Sequence, residues 1–408
     1  MKSQSVNILE LGSSRVLCSV MELDRDGELT VAAYAEVPCH GVVKGVVQHV
    51  EEVARAIGEV TTKVRSMIGG VGGEEYVVNI NGLHLDGTNS PGLVPIVPKG
   101  RPISRDDIFQ VLNHSRAVLP PADREFLQTI PREFRVDGQK NILRPLGMIG
   151  SRLEVVTHVI TGKSQHIQSI EKAVTMAGCR VAELVPQPIA SALGTLTERQ
   201  VDEGTVVVDL GAGTTSVAIF SGGAIAYSAV LPVGSEHITS DLSNLLKVSA
   251  EEADRLKVKH GCCYAQMLTD EEFVEVHQVG ATKVRHLQRK VLAEIIESRV
   301  REILVLVRNH IDRSGLRGAL PGGIVFVGAG AKLLGVRQLS EQVITNMPAY
   351  LGAPVATSKE FGGPEHVAAL GLAKFRLGGD EEGYAAVTPI DQIKAGFKNL
   401  KSLFAFKS

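Results

Sequence analysis

Hydrophobic and polar positions follow the same order in two stretches of the chain. Residues 6–20 read VNILELGSSRVLCSV and residues 206–220 read VVVDLGAGTTSVAIF. Each is an apolar strand with an acid near its end (Glu10 or Asp209), then a tight turn of Gly and hydroxyl residues opened by Gly12 or Gly211, then a second apolar strand. Short apolar runs bounded by turn residues predict strands, so the same hairpin is made twice, about two hundred residues apart. Elsewhere the period lengthens. Val53, Ile57, Val60 and Val64 predict a helix over 51–67, ending in the Gly-rich run 69–73. Residues 153–162 (LEVVTHVITG) predict a strand, 164–177 a helix stopped at Gly178, and 234–261 a helical region. A long helix is predicted over 283–313, with Val284, Leu287, Val291, Ile295, Val300 and Leu304 as its apolar positions. Residues 322–336 (GGIVFVGAGAKLLGV) read as a buried strand entering a Gly-rich turn, and 365–375 as a short helix.

The character changes over 83–158, where Pro becomes frequent and Ser104-x-x-Asp107 opens a helix as a capping box. This stretch predicts an inserted subdomain. A chain of 408 residues exceeds one ordinary core, and two to four subdomains are expected. With 44% hydrophobic and 22% charged residues it has a globular balance, and a net charge of −2 gives no general attraction to nucleic acid. No run of about 18 apolar residues predicts a transmembrane helix. The N-terminus enters a strand without a signal-peptide core. The five cysteines are scattered and lack a C-x-x-C pair, so neither a zinc site nor a disulfide framework is indicated and a cytosolic location is expected.

The two turns suit phosphate. Gly lets a phosphate approach the backbone, turn N–H groups converge on it, and Ser13, Ser14, Thr214 and Thr215 add hydroxyl donors. Glu10 and Asp209 can hold Mg²⁺ through its waters, because Mg²⁺ riding on phosphates keeps several of them. Competing nucleotide motifs are absent. There is no G-x-x-x-x-G-K-[ST], and neither Gly211-x-Gly213 nor Gly328-x-Gly330 carries the third Gly of a dinucleotide fingerprint.

Residues 378–389 (GGDEEGYAAVTP) read as a flexible linker. Beyond it, at 100° per residue, Ile390, Ile393, Phe397, Leu400 and Phe404 fall within about 80°. Lys394, Lys398 and Lys401 flank that stripe, Lys407 lies near its other edge, and Leu403 adds apolar surface. The pattern predicts an amphipathic helix lying on anionic lipid. A single tail of this kind binds weakly, and many on one polymer bind firmly through avidity.

With these motifs in place, the chain resembles the actin/Hsp70/sugar-kinase superfamily. The first hairpin is similar to its phosphate-1 motif, the second to its phosphate-2 motif, and 324–335 to its adenosine motif. VPQPIASAL (185–193) and VAALGLAKF (367–375) resemble its two connecting helices. Within the superfamily the chain is similar to the FtsA family of bacterial cell division over nearly its whole length. That likeness is carried by LHLDGTNSPGLVPI (83–96), LKVKHGC (256–262) and LQRKVLAEIIESR (287–299).

The resemblance implies an α/β, actin-like (ribonuclease H-like) two-domain fold with a duplicated core, in which a 1C subdomain replaces 1B. It implies subdomain 1A at 1–82 and 159–200, an SHS2-like 1C at 83–158, 2A at 201–233 and 321–377, 2B at 234–320, and a membrane-targeting helix at 390–408. It also implies ATP and Mg²⁺ as ligands. Gly12, Ser13 and Ser14 match the first phosphate loop; Gly211, Gly213, Thr214 and Thr215 match the second; Gly328 and Gly330 match the adenosine turn. Asp254 and Lys257, three apart and so on one helix face, match an acid–Lys pair near the ribose and base in relatives. Gln187 is the candidate that would orient an attacking water, although Gln cannot take its proton. Glu10 stands where many relatives have Asp, so ATP binding with slow or no turnover is expected. The family function implied is self-association into actin-like filaments that tether the FtsZ ring to the cytoplasmic face of the inner membrane at the septum. The FtsZ C-terminal tail would dock at Arg299, with Arg289 and Lys290 as further candidates, and other divisome proteins would use 83–158. The alternatives are a small-molecule kinase, which would need an Asp base, and a pilus-assembly actin homologue, which should lack the basic amphipathic tail.

Overall fold

A computed structural model of the chain describes residues 4–23, 29–70, 73–116, 120–142, 144–280, 283–354 and 361–377. The linker and amphipathic-helix expectations for 378–408 lie outside these residues.

The duplicated hairpins each seed a five-stranded sheet, and the two sheets have the same strand plan. In the first, Gln4–Leu11 pairs antiparallel with Arg15–Leu23, which pairs antiparallel with Leu29–Pro38. On its other side Gln4–Leu11 pairs parallel with Glu75–Ile80, which pairs parallel with Arg180–Pro186. In the second, Val206–Leu210, Thr215–Ser221 and Ala224–Leu231 form the antiparallel meander, and Ile324–Val327 and Ala349–Leu351 add the parallel side. Val206–Leu210 is buried at every position, as expected of a strand covered on both faces.

Helices cover these sheets. Val50–Met67 buries Val53, Ile57, Val60 and Val64 as the spacing predicts. Gln187–Thr195 and Val367–Leu377 pack against each other between the two sheets. Their contact is very close. A Cβ at Gly371 would lie 1.7 Å from the Ala190 carbonyl oxygen, and one at Gly194 would lie 1.9 Å from that of Val367.

Inserted in the sequence between Glu75–Ile80 and Arg180–Pro186 is a separate four-stranded sheet, ordered Gln139–Ile142, Arg124–Val136, Arg152–Lys163, Asp86–Pro95. Its own core includes Ile96, Ile108, Val111, Leu153 and Val155. Pro91 sits on an edge strand, where a missing N–H costs no ladder bond. The strand expected at 153–162 is central to this sheet and runs unbroken to Lys163, so 159–163 belong to the inserted sheet. The Ser104–Asp107 capping box forms, and a bidentate Arg101 guanidinium holds the Asp107 carboxyl well below the usual range.

Two expectations change. The helical region 234–261 is two helices, Ser235–Leu246 and Ala250–His260. The break comes where Lys247 adopts a left-handed conformation and Ser249 caps the second helix by accepting the Glu252 N–H. The long helix starts at Arg289, and Arg285–Gln288 is instead a strand paired with Phe273–Val276. Leu287 is therefore buried from a strand, and Val284 is exposed. The buried stripe of the helix is Leu292, Ile296, Val300, Ile303, Leu304, Val307 and Ile311, with Val291 exposed and Ile295 only partly buried. Apolar residues surround enough of this helix that spacing alone did not select the packed face.

Candidate functional site

The two hairpin turns face one another because each ends the central strand of its own sheet. Their registers match residue for residue. Leu11 pairs with Val16 and Glu10 with Leu17; Leu210 pairs with Thr215 and Asp209 with Ser216. The Gly12 N–H donates to the Arg15 carbonyl at 2.9 Å, and the Gly211 N–H to the Thr214 carbonyl at 3.0 Å. The same four-residue turn therefore carries an acid two positions before it in both halves.

A cleft of about 1070 Å³ opens between the turns. It is lined by Glu10, Gly12, Ser13 and Ser14 from the first half and by Asp209, Gly211, Gly213 and Thr214 from the second. Gln187, Asp254, Lys257, Gly328 and Gly330 complete the expected residues on its walls. Close approach is built in. A Cβ at Gly213 would lie 2.5 Å from Ser13 Oγ, and one at Gly328 (φ +82°) would lie 2.3 Å from Asp209 Oδ1. The Asp254–Lys257 pair forms at 2.6 Å, with Lys257 Nζ also donating to Thr239 Oγ1 at 2.8 Å.

Thr215 is a correction. It is fully buried at the start of its strand, and its hydroxyl donates to the Val233 carbonyl at 2.8 Å. Alternation along the strand turns it away from the cleft, so it offers nothing to a phosphate.

The acids occupy different environments. Ser191 Oγ and Gln187 Nε2 both donate to Asp209 Oδ2, at 2.5 and 2.8 Å. Burial raises the Asp209 carboxyl, and those two donors oppose the rise. Burial pushes the Glu10 carboxyl up to about 7; Arg15 pulls it down and Asp209 pushes it further up. Glu10 Oε2 is buried with no hydrogen-bond partner among the described residues. Two desolvated carboxylates that repel one another, one with an orphaned oxygen, are the surroundings a cation relieves. Among the described residues no group of three or more His, Cys, Asp or Glu converges, so the fit is to a hydrated Mg²⁺ shared with phosphates and not to an all-protein metal cage.

Several residues of the site escaped the sequence reading. Arg15 follows the first turn and lines the cleft, pairing with Glu36 and donating to the Glu365 carbonyl at 2.8 Å. Asn81 Nδ2 donates to Thr214 Oγ1 at 3.0 Å, joining the halves directly. Asn79 lies on the cleft floor beside Gln187. A polar residue in the otherwise apolar run YVVNI was the available signal.

Arg299 sits elsewhere, in a groove of about 400 Å³ between Ser235–Leu246 and the long helix, with Leu245, Val291 and Ile295 as apolar walls. It is bonded bidentately to Asp241 at 2.7 and 2.9 Å and also to Glu302. With Asp241, Glu294 and Glu302 around it, the groove is acidic on balance. Arg289 and Lys290 do not share that groove. Arg289 bonds Glu272 and the His260 carbonyl, and Lys290 bonds Asp270, so both fasten the neighbouring hairpin.

Comparison with known proteins places this architecture. The profile described as "SHS2 domain inserted in FTSA" matches residues 82–161, and that described as "Cell division protein FtsA" matches residues 206–371. The chain is 35% identical to the cell division protein FtsA of Pseudomonas aeruginosa, over 85% of this chain and 82% of that protein. It is 33% identical to that of Borreliella burgdorferi, over 90% of both.

The chain belongs to the FtsA family of cell division proteins.

Among solved structures it is similar to the PilM–PilN type IV pilus biogenesis complex, at TM-score 0.64 and 18% identity over 90% of this chain and 97% of that one. It is also similar to MreB5 of Spiroplasma citri bound to ADP, at TM-score 0.56 and 13% identity over 92% and 96%. These likenesses establish the actin-like fold. The inserted sheet is the SHS2 domain that marks FtsA proteins, and the family membership, not the fold, separates the chain from pilus-assembly homologues.

Proposed function

We propose that this FtsA-family protein closes its two halves on one Mg²⁺·ATP, self-associates in the nucleotide-bound form and links FtsZ polymers to the cytoplasmic face of the cell membrane. The observation that carries the nucleotide part is the pair of turns in matching register, facing one cleft, with a buried acid behind each. Arg15 from one half and Lys257 from the other bring positive charge to the cleft, and Gly328 and Gly330 let their turn pack directly against Asp209 and Leu210 beside the second hairpin. The ADP-bound MreB5 relative supports the same use of the fold. Phosphates would lie against the turns, the hydrated metal between Glu10 and Asp209, and the ribose and base toward Asp254 and Lys257. Gln187 spends one amide hydrogen on Asp209 and its oxygen on Asn79, which supports slow turnover.

The assembly part rests on the family and on the predicted basic amphipathic helix at 390–408. For the FtsZ tail the apolar walls at Leu245, Val291 and Ile295 suit a peptide helix or turn, and an acidic group on it would exchange with Asp241 at Arg299. The SHS2 domain is the surface proposed for other division proteins. A liposome pelleting assay with FtsZ tests this reading. With anionic vesicles and ATP, FtsZ should pellet only when this protein is present; deleting 390–408 should release both, and Arg299→Glu should release FtsZ alone. FtsZ left in the supernatant with the intact protein on the vesicles would overturn the adaptor role.

A further inference from the structure

The cleft contains a chain of side-chain bonds that joins the two halves. Asn79 lies at the end of the strand beside Gln4–Leu11 and is buried. Its Oδ1 accepts the Leu11 N–H at 2.6 Å, and its Nδ2 donates to the Leu11 carbonyl at 3.2 Å and to Gln187 Oε1 at 2.8 Å. Gln187 Nε2 then donates to Asp209 Oδ2 at 2.8 Å. Leu11 immediately precedes the first phosphate turn.

The direction of this chain is fixed at both ends. The Leu11 N–H can only donate, so it sets Asn79 with its oxygen toward Leu11 and its NH₂ toward Gln187. A carboxylate can only accept, so it sets Gln187 with its NH₂ toward Asp209 and its oxygen toward Asn79. The two constraints agree, and neither amide can turn over without placing oxygen against oxygen.

We propose that Asn79 is a positioning residue that acts through Gln187: it fixes the carboxylate plane of Asp209 relative to the first turn and so sets how strongly Mg²⁺ adds to nucleotide binding. The inference rests on the Mg²⁺·ATP reading above and deepens it. Groups that orient a metal-facing carboxylate act on the metal more than on the rest of the ligand. Asn79 should therefore govern the metal-dependent part of affinity while metal-free ATP, held by the turns and the adenosine wall, is nearly indifferent to it. Gln187 becomes a shared link between halves, in addition to any contact with water.

The test is the ratio of ATP affinity with Mg²⁺ to that in EDTA, measured by calorimetry on the full chain. Asn79→Ala should reduce this ratio about tenfold and leave metal-free affinity within about twofold of wild type. Gln187→Met should reduce the ratio about as much, and the double variant should lose no more of it than either alone, because both break one chain. If Asn79→Ala does not fold, Asn79→Ser, also too short to reach Gln187, takes its place. Losses that multiply in the double variant, an unchanged ratio in a folded variant, or equal loss with and without metal would each overturn the proposal. A wild-type protein that binds no ATP would instead overturn the nucleotide reading itself.

Discussion

The two hairpin turns share a register, yet the acids behind them are held differently. Asp209 has two donors on one oxygen, whereas Glu10 has a buried oxygen with no partner among the described residues and a carboxyl pushed up to about 7. The turns were set alike by backbone geometry, which follows from local sequence. The acids were set apart by what the surrounding fold brings to them. The acid behind the second turn is already held by donors, and the one behind the first keeps an oxygen that, among the described residues, nothing bonds.

The largest effect should come from disturbing the joint that makes the halves comparable. Gly371→Ala forces a Cβ into the Ala190 carbonyl, and overpacking of this kind costs about 3 kcal/mol, read as a lowered midpoint of chemical unfolding. A shift below about 0.5 kcal/mol would mean that the two helices separate freely.

Glu10 gives a comparable effect with a pH signature. Its folded pKa of about 7 lies above the ordinary 4.5, so the folded state holds the proton more tightly. Its own contribution to stability without ligand should be full below about pH 4.5 and be lost as pH rises through 7, by on the order of 3 kcal/mol. Glu10→Gln should remove that fall, stabilising the ligand-free protein at pH 8 and changing little at pH 4. Asp209→Asn should stabilise less, because the Asp209 carboxylate already has donors. Unfolding curves of equal pH dependence for wild type and Glu10→Gln would erase the distinction between the acids.

The smallest and sharpest test separates neighbours on the second turn. Thr215→Val loses the bond to Val233 and about 1 kcal/mol of stability, with nucleotide affinity unchanged. Thr214→Val removes a cleft hydroxyl and the Asn81 bond, and should weaken nucleotide binding as well as cost a similar amount of stability. The reverse pattern would mean that the turn presents the other face.

What could be read from sequence was local. Both hairpins, the Val50–Met67 helix and the capping box depend on residues within a turn or two of one another. Glu10, Asp209 and the turn glycines came with them. What could not be read depends on distant partners. Arg285–Gln288 became a strand because Phe273–Val276 lies beside it, and Thr215 turned inward to meet Val233. Asn79, Arg15 and Asn81 gained their roles from groups more than a hundred residues away, Gln187, Glu365 and Thr214. Arg299 was found in sequence as a cation, but its two acidic partners were not.

The central claim is that the two turns close on one metal–nucleotide, and calorimetric titration of Mg²⁺·ATP into wild type and Asp209→Ala tests it most directly. The account predicts one nucleotide per chain and a loss of about tenfold or more in affinity for the variant, with most of that difference gone in EDTA. Equal affinity of the two proteins for Mg²⁺·ATP, or more than one nucleotide per chain, would contradict it.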